Sequence, residues 1–108
     1  MNRISSFAEF WPVYLRAHRS PRCRALHYLA SLCGVAGIGL AIAVGTPWWL
    51  AAGMAGAYAF AWAGHAFVEE NVPLTFTHPL WSLFADCRMF FLWMGGRLGR
   101  HLRAAGAA

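Results

Sequence analysis

The sequence predicts an all-α membrane protein, an antiparallel transmembrane helical hairpin with flanking interfacial helices, in one domain over residues 1–108. Hydrophobic residues make up 59% of the chain and charged residues 12%, against about 45–50% and about 25% in soluble domains. Two long apolar runs are separated by a short break, and all nine cations are arginines outside those runs. A soluble fold of this size has too much surface to bury so much apolar side chain. Composition therefore argues against a cytosolic globule, a disordered chain and a disulfide-stapled secreted domain.

The first two elements follow from aromatic content and length. Residues 6–18 are rich in aromatic side chains and predict a helix lying at the membrane interface. Residues 25–45 carry no charge if His27 is neutral. As a helix this run reaches roughly 31 Å, about the thickness of a bilayer core. It is therefore predicted to be the first transmembrane helix.

The second apolar run, 47–68, follows a break at Gly45-Thr46-Pro47. Because the linker is only a few residues, the two helices are expected to run antiparallel. Trp48 and Trp49 lie at the turn, where an aromatic belt is expected. The arginines lie before the first run and after the second, so the positive-inside rule places both termini in the cytoplasm, as in a protein of a bacterial inner membrane. The nine arginines are Arg3, Arg16, Arg19, Arg22, Arg24, Arg88, Arg97, Arg100 and Arg103.

Residues 80–98 are apolar but are interrupted by Asp86 and Arg88, which we expect to form an ion pair. We favour an interfacial helix here over a short or re-entrant membrane element. The Ala/Gly-rich tail 104–108 is expected to fray. The three cysteines form no CxxC pair, which favours reduced, structural residues.

Four of the five histidines, His18, His27, His65 and His78, lie towards the predicted cytoplasmic side of the hairpin. His27 and His65 each lie 19 residues from position 46, roughly 28 Å along their helices. The two rings should therefore lie at equal depth on neighbouring helices. Small residues every three or four positions lead to each histidine, and such stripes allow membrane helices to approach closely. The stripes are His27, Ala30, Gly34, Gly37 and Ala41 in the first run and Gly53, Ala57, Ala61, His65 and Glu69 in the second.

His65 and Glu69, four residues apart, would share one face of an α-helix. Ionisable groups inside a membrane are costly and mark functional sites. Neutral imidazoles with one carboxylate suit non-haem Fe(II) with positions left open for O2 and substrate. Zinc fits the same ligands. The structural alternative is that the histidines only make hydrogen bonds or contact lipid headgroups.

Three motifs carry a resemblance to a known family, and they cover roughly residues 7–98. The chain resembles the short bacterial members of the domain-of-unknown-function family that includes the fungal 2-hydroxy fatty acid dioxygenase of phytosphingosine breakdown. The motifs are Tyr14-Leu15-x-x-His18-x-x-Pro21-x-x-Arg24-x-Leu26-His27-Tyr28, Gly64-His65-x-x-x-Glu69-x-Asn71-x-Pro73, and His78-Pro79-Leu80-Trp81-Ser82-Leu83 with Asp86-x-Arg88-Met89.

The resemblance implies a membrane-bound Fe(II)-dependent dioxygenase that shortens a 2-hydroxy fatty acid by one carbon with O2. By similarity, Glu69 is a metal ligand or a base that orients a histidine. The candidate iron ligands are His18, His27, His65 and His78.

A 2-hydroxy acid can chelate iron through its carboxylate and hydroxyl. Arg24 lies about one helical turn before His27, where it would hold the substrate carboxylate or serve as a positive-inside anchor. The implied partners are a lipid substrate, O2 and the membrane, without nucleic acid, and oligomer formation stays open. Two rival functions are a non-enzymatic membrane scaffold with structural histidines and a zinc-dependent membrane hydrolase with Glu69 as base.

Overall fold

The computed structural model describes residues 4–107, and within this range the protein is helical without any strand. The all-α class is therefore correct. A π-helical segment, Gly64–Glu69, directly follows the third α-helix, and a short 3-10 helix, Leu74–Phe76, precedes the fourth. Arg3 and Ala108, which belong to the expected charged flank and tail, lie outside the described residues. The α-helices are α1 (Phe7–Ala17), α2 (Pro21–Val44), α3 (Trp48–Ala63), α4 (Pro79–Met94) and α5 (Leu98–Ala105).

Helix α2 begins at Pro21, four residues earlier than the apolar run. Ser20 caps it, because its Oγ accepts a hydrogen bond from the Arg22 backbone N–H at 3.2 Å, and proline is favoured at the first helical position. The helix ends at Val44 and is capped by Gly45, which is left-handed (φ 74°) and donates its N–H to the Ala41 carbonyl. Among the described residues, α2 is the one helix long and apolar enough to cross a membrane.

Helices α2 and α3 approach each other through glycines. A Cβ built on Gly53 would lie 2.7 Å from the Cys33 carbonyl oxygen and 2.8 Å from the Gly37 Cα. Because these neighbours are backbone atoms, a larger residue would push the helices apart. A Cβ on Gly34, by contrast, would meet no atom within 4 Å. The contact face of α2 therefore passes through Cys33 and Gly37 and not through Gly34.

The buried core lies at one end of the molecule, where α1, α4 and α5 pack around the start of α2. Phe10, Tyr14, Leu15 and Met89 are almost fully buried there. The large apolar side chains along α2 and α3 are exposed instead; they include Leu32, Val35, Ile38, Ile42, Val44, Trp48, Leu50 and Met54. The molecule therefore has a packed end and a protruding pair of helices with an apolar surface.

Helix α5 was not expected as a separate element. Gly96 (φ 71°) separates it from α4, which ends at Met94 rather than at 98. Leu98, Leu102 and Ala105 are buried at helical spacing, and Ala107 is also buried. The described part of the tail is therefore packed instead of frayed.

Two arginines of the N-terminal flank hold the end of α5. Arg16 donates to the Ala105 carbonyl at 3.2 Å, and Arg19 donates to the Gly106 carbonyl at 3.3 Å. These carbonyls have no partner within the helix, so the arginines satisfy acceptors that the helix end leaves open. The flank therefore fastens α5 onto the packed end.

The glycine contact predicts opposite effects for two alanine substitutions. Gly53→Ala should lower the thermal unfolding midpoint in detergent, because overpacking against backbone costs about 1–3 kcal/mol. Gly34→Ala is the matched control and should leave the midpoint unchanged or raise it, since alanine is favoured over glycine in helices by about 0.5–1 kcal/mol. Equal effects of the two substitutions would contradict the close approach at Gly53.

Candidate metal centre

Three histidines from separate parts of the chain meet at the packed end. The ring centroids of His18 and His27 are 4.3 Å apart, those of His18 and His65 are 4.5 Å apart, and those of His27 and His65 are 5.0 Å apart. One ligating atom from each ring can be chosen so that all lie within 4.8 Å of one another. All three side chains are buried. The structure therefore offers a three-imidazole centre that could hold a metal ion.

Each histidine lies in a different kind of local structure. His18 caps the C-terminus of α1, where its backbone N–H donates to the Leu15 carbonyl. His27 lies on α2, and His65 lies on the π-helical segment. Gly64 makes room for the crossing, because a Cβ there would lie 3.1 Å from the Cys23 Sγ. Segments of π-helix are often found at functional sites.

In each of the three rings, Nδ1 is hydrogen-bonded to an oxygen atom of a neighbouring residue. His18 Nδ1 lies 2.6 Å from the Tyr14 carbonyl oxygen, and His27 Nδ1 lies 2.9 Å from the Cys23 carbonyl oxygen. His65 Nδ1 lies 2.6 Å from the Asn71 Oδ1. Because these oxygens are acceptors, each Nδ1 carries the proton and donates. Each Nε2 therefore presents its lone pair, as in metal sites whose ligands are fixed by outer hydrogen bonds.

The donor set fits a metal ion. His18 Nε2 and His27 Nε2 are 3.1 Å apart, and with both protons on Nδ1 neither nitrogen has a hydrogen to share. Two nitrogens that each lie about 2.1 Å from one ion are about 3.0–3.4 Å apart at angles of about 90–109°. Burial and the neighbouring imidazoles lower the pKa of His18 well below its usual value, so its lone pair is free at neutral pH. A cation would satisfy lone pairs that otherwise face each other.

Asn71 is a positioning residue to which the sequence reasoning assigned no role. Its Nδ2 donates to the Ala17 carbonyl at 3.0 Å, which leaves its Oδ1 to accept from His65. The side chain therefore joins the histidine of the π-helical segment to the end of α1. The sequence feature that could have indicated this role is the position of Asn71 in the second motif, two residues after Glu69.

The side chains of Glu69 and Arg24 form hydrogen bonds with backbone groups in this structure. Glu69 Oε2 accepts the Ser20 N–H at 2.6 Å, at the start of α2. Glu69 also interacts electrostatically with His65, so its carboxylate lies close to the centre without being one of the three groups that face one another. Arg24 donates to the carbonyls of His18 and Arg19, at 2.9 Å and 2.7 Å.

His78 is not brought to the three-imidazole centre. It caps the start of α4, and its ring stacks on Trp81 at 5.6 Å and contacts Phe10 at 5.2 Å between centroids. Its Nδ1 lies 2.9 Å from the Thr77 Oγ1. The structure therefore places it in an aromatic cluster.

Tyr14 connects the centre to Asp86. Its ring stacks on His18 at 4.0 Å between centroids, and its hydroxyl donates to Asp86 Oδ1. Burial raises the pKa of Asp86 to about 6. Arg88 lies 4.6 Å from the Trp11 ring, where a cation–π contact is favourable. The expected Asp86–Arg88 pair is therefore wrong, because each residue has a different partner.

Comparison with known proteins identifies the family. The family model described as 2-hydroxy-palmitic acid dioxygenase Mpo1-like matches residues 4–98. The chain belongs to this family, and the resemblance inferred from the three motifs is confirmed. No curated protein and no solved structure matches the chain at a significant level.

The Asn71 contact predicts weaker metal binding on substitution. Asn71→Ala should lower the affinity for a divalent metal by about 10–100-fold, as loss of an outer hydrogen bond to a ligand does elsewhere. Metal competition with a chelator measures the change. Glu70→Asn is the matched control, because Glu70 is exposed and left-handed (φ 57°), a conformation that asparagine tolerates. An unchanged affinity in Asn71→Ala would contradict the positioning role.

The raised pKa of Asp86 predicts a pH-dependent gain in stability for Asp86→Asn. Between about pH 4 and pH 6 the folded protein holds a proton that the unfolded chain has released, so the stability contributed by protonated Asp86 is lost as pH rises through about 6. Asparagine keeps an acceptor for Tyr14 and has no charge. Asp86→Asn should therefore raise the unfolding midpoint at pH 7.5, with a smaller gain at pH 5.

Glu9→Gln is the control for this pH series. Hydrogen bonds from Ser5 lower the pKa of Glu9, so its carboxylate is favoured in the folded protein. Removing that charge should give no gain in midpoint at pH 7.5. A gain from Asp86→Asn that is the same at every pH would contradict the assignment.

Proposed function

We propose that the protein is an Fe(II)-dependent dioxygenase that shortens 2-hydroxy fatty acids by one carbon at a membrane, with His18, His27 and His65 as the metal ligands. The observation that carries the proposal is the convergence of three buried imidazoles whose Nδ1 atoms are all held by acceptors. The family description, which names a 2-hydroxy-palmitic acid dioxygenase, supports this substrate class.

The reaction balances without a further reductant. A 2-hydroxy acid and one O2 give the acid one carbon shorter, carbon dioxide and water; the C1–C2 bond breaks, C2 becomes the new carboxyl carbon and O2 takes up all four electrons. An iron ion held by the three histidines would supply the site for O2 activation and for chelation of the substrate.

The charge of the centre favours an anionic substrate. Three neutral imidazoles leave both charges of a divalent ion uncompensated in a buried site, which is costly. Glu69 offsets part of this charge from outside the three ligands, since its carboxylate accepts the Ser20 N–H and also interacts electrostatically with His65. A carboxylate from the substrate would supply the missing negative charge. This argument supports a hydroxy acid over a neutral lipid.

We also propose that α2 and α3, with the π-helical segment, form the antiparallel transmembrane hairpin and that both termini face the cytoplasm. The exposed apolar side chains of both helices and the arginines at the packed end support it. Trp48, at the turn, is exposed as an interfacial anchor would be. In this arrangement α1 and α4 lie at the interface, and the three histidines lie near the cytoplasmic boundary.

Metal quantitation tests the proposed ligands. Protein purified without O2 should contain about one iron per chain, and His65→Ala should lose it while staying helical by circular dichroism. His78→Ala should keep its iron, because its ring lies outside the three-imidazole centre. Bound zinc instead of iron would favour the hydrolase, and absence of any metal would favour the scaffold.

The product assay tests the reaction. With Fe(II) and O2, 2-hydroxyhexadecanoic acid should give pentadecanoic acid, with one O2 consumed for each acid formed. Hexadecanoic acid, which lacks the hydroxyl, should stay unchanged. His65→Ala should reduce the rate to background. Unchanged 2-hydroxy acid over several chain lengths, with iron bound, would rule out the proposed reaction.

A further inference from the structure

A small cavity adjoins the three histidines and has one polar wall. Its volume is about 20 Å³, room for about one water-sized group. Tyr14, Ser82 and Asp86 line it beside the histidines, and Ala61, Trp62 and Leu74 are among its apolar lining residues. The cavity therefore has room for one polar group of a ligand, such as a carboxylate oxygen, while the rest of a fatty acid must lie outside it.

Ser82 is the unusual member of this polar wall. Its side-chain oxygen is buried and has no hydrogen-bond partner, and the residue is 3% exposed. Serine within a helix often bonds the carbonyl one turn back. Here the His78 carbonyl accepts the Ser82 backbone N–H, and the hydroxyl makes no such bond. A buried hydroxyl without a partner is unfavourable for folding, so a ligand is a reasonable source of the missing bond.

The hydrogen-bond donors of the neighbouring Tyr14 and histidine side chains already have acceptors. The Tyr14 hydroxyl donates to Asp86, and the three imidazole Nδ1 protons go to two carbonyls and Asn71. Tyr58 and Thr75 also line the cavity, but Tyr58 is exposed and Thr75 is only partly buried. Among the buried lining residues, the Ser82 hydroxyl is the donor that remains. It lacks an acceptor, and a carboxylate is the strongest acceptor that a lipid substrate can bring.

We propose that Ser82 forms a subsite that donates a hydrogen bond to the carboxylate of the fatty acid while the polar end lies against the three histidines. The proposal rests on the proposed function for the identity of the ligand. Ser82 orients the acid and does not take part in bond making or breaking. Its removal should therefore weaken binding without removing the metal.

The test is calorimetric binding of 2-hydroxyhexadecanoic acid and of hexadecanoic acid to the iron-loaded protein in detergent without O2. Ser82→Ala should weaken binding of both acids by about tenfold or more, the usual effect of losing a hydrogen bond to a charged group. Iron content and the unfolding midpoint should not fall, because the substitution removes an unsatisfied hydroxyl. Ser31→Ala on α2 is the matched control and should bind both acids as the wild type does.

Each outcome decides the proposal. Weakened binding of both acids supports it, and Ser82→Thr, which keeps a hydroxyl, should restore part of the affinity. Weaker binding of the 2-hydroxy acid alone would overturn the assignment to the carboxylate. Unchanged binding of both acids, or a wild-type protein that binds neither, would overturn the subsite.

The two proposals fail in different ways. If the wild type binds the acids but gives no shorter product in air, the proposed reaction fails while the Ser82 subsite stands. If product forms and Ser82→Ala binds both acids unchanged, the subsite fails while the proposed reaction stands.

Discussion

The structure of the packed end depends on three neutral imidazoles that face one another. Each gives its Nδ1 proton to an acceptor outside the centre, so no ring can donate to another. Buried polar atoms are normally paired, and here the lone pairs of His18 and His27 lie only 3.1 Å apart. Such an arrangement is unfavourable in an empty protein and favourable around a cation. Metal binding should therefore be coupled to the stability of this end of the fold.

Two hydrogen bonds hold the π-helical region against the connection between α1 and α2. Glu69 accepts the Ser20 N–H, and Asn71 donates to the Ala17 carbonyl. Both contacts bracket His18 in the sequence, and both come from residues shortly after His65. The carboxylate and the amide that follow His65 thus help to fix the distance between the His18 and His65 rings. Glu69, which the sequence offered as a candidate for chemistry, also fixes the backbone here.

The sequence predicted the meeting of His27 and His65 better than the rest of the centre. Two helices joined by a short turn bring residues equally distant from that turn to the same depth, whatever their side chains. His18 lies outside this geometry; its place in the sequence put it only near the cytoplasmic side, and the family resemblance implied its role as a ligand. Spacing could not exclude His78, because its position depends on how its ring packs between Phe10 and Trp81.

Asp86 and Glu69 both bond partners that are distant in sequence. The expected Asp86–Arg88 pair assumed a partner two positions away, whereas Asp86 accepts from Tyr14. Glu69 was expected to share a helix face with His65, and its Oε2 accepts the Ser20 N–H, 49 positions away. Contacts between distant segments decide such partners, and a single sequence does not encode them in its spacing.

The position of the centre supports the lipid substrate proposed above. The centre lies where the packed end meets α2 and α3, and the chain that follows His65 carries apolar side chains that are exposed: Phe67, Val72 and Phe76. Trp62 contacts Phe76 at 5.3 Å between centroids, which extends this surface towards the cavity wall formed by Leu74. In the proposed membrane arrangement, an acyl chain in the surrounding lipid could thus remain in apolar surroundings while its carboxylate reaches the buried imidazoles. An acid without an acyl chain would bury no apolar surface there, which supports the proposed fatty acid substrate over a small water-soluble acid.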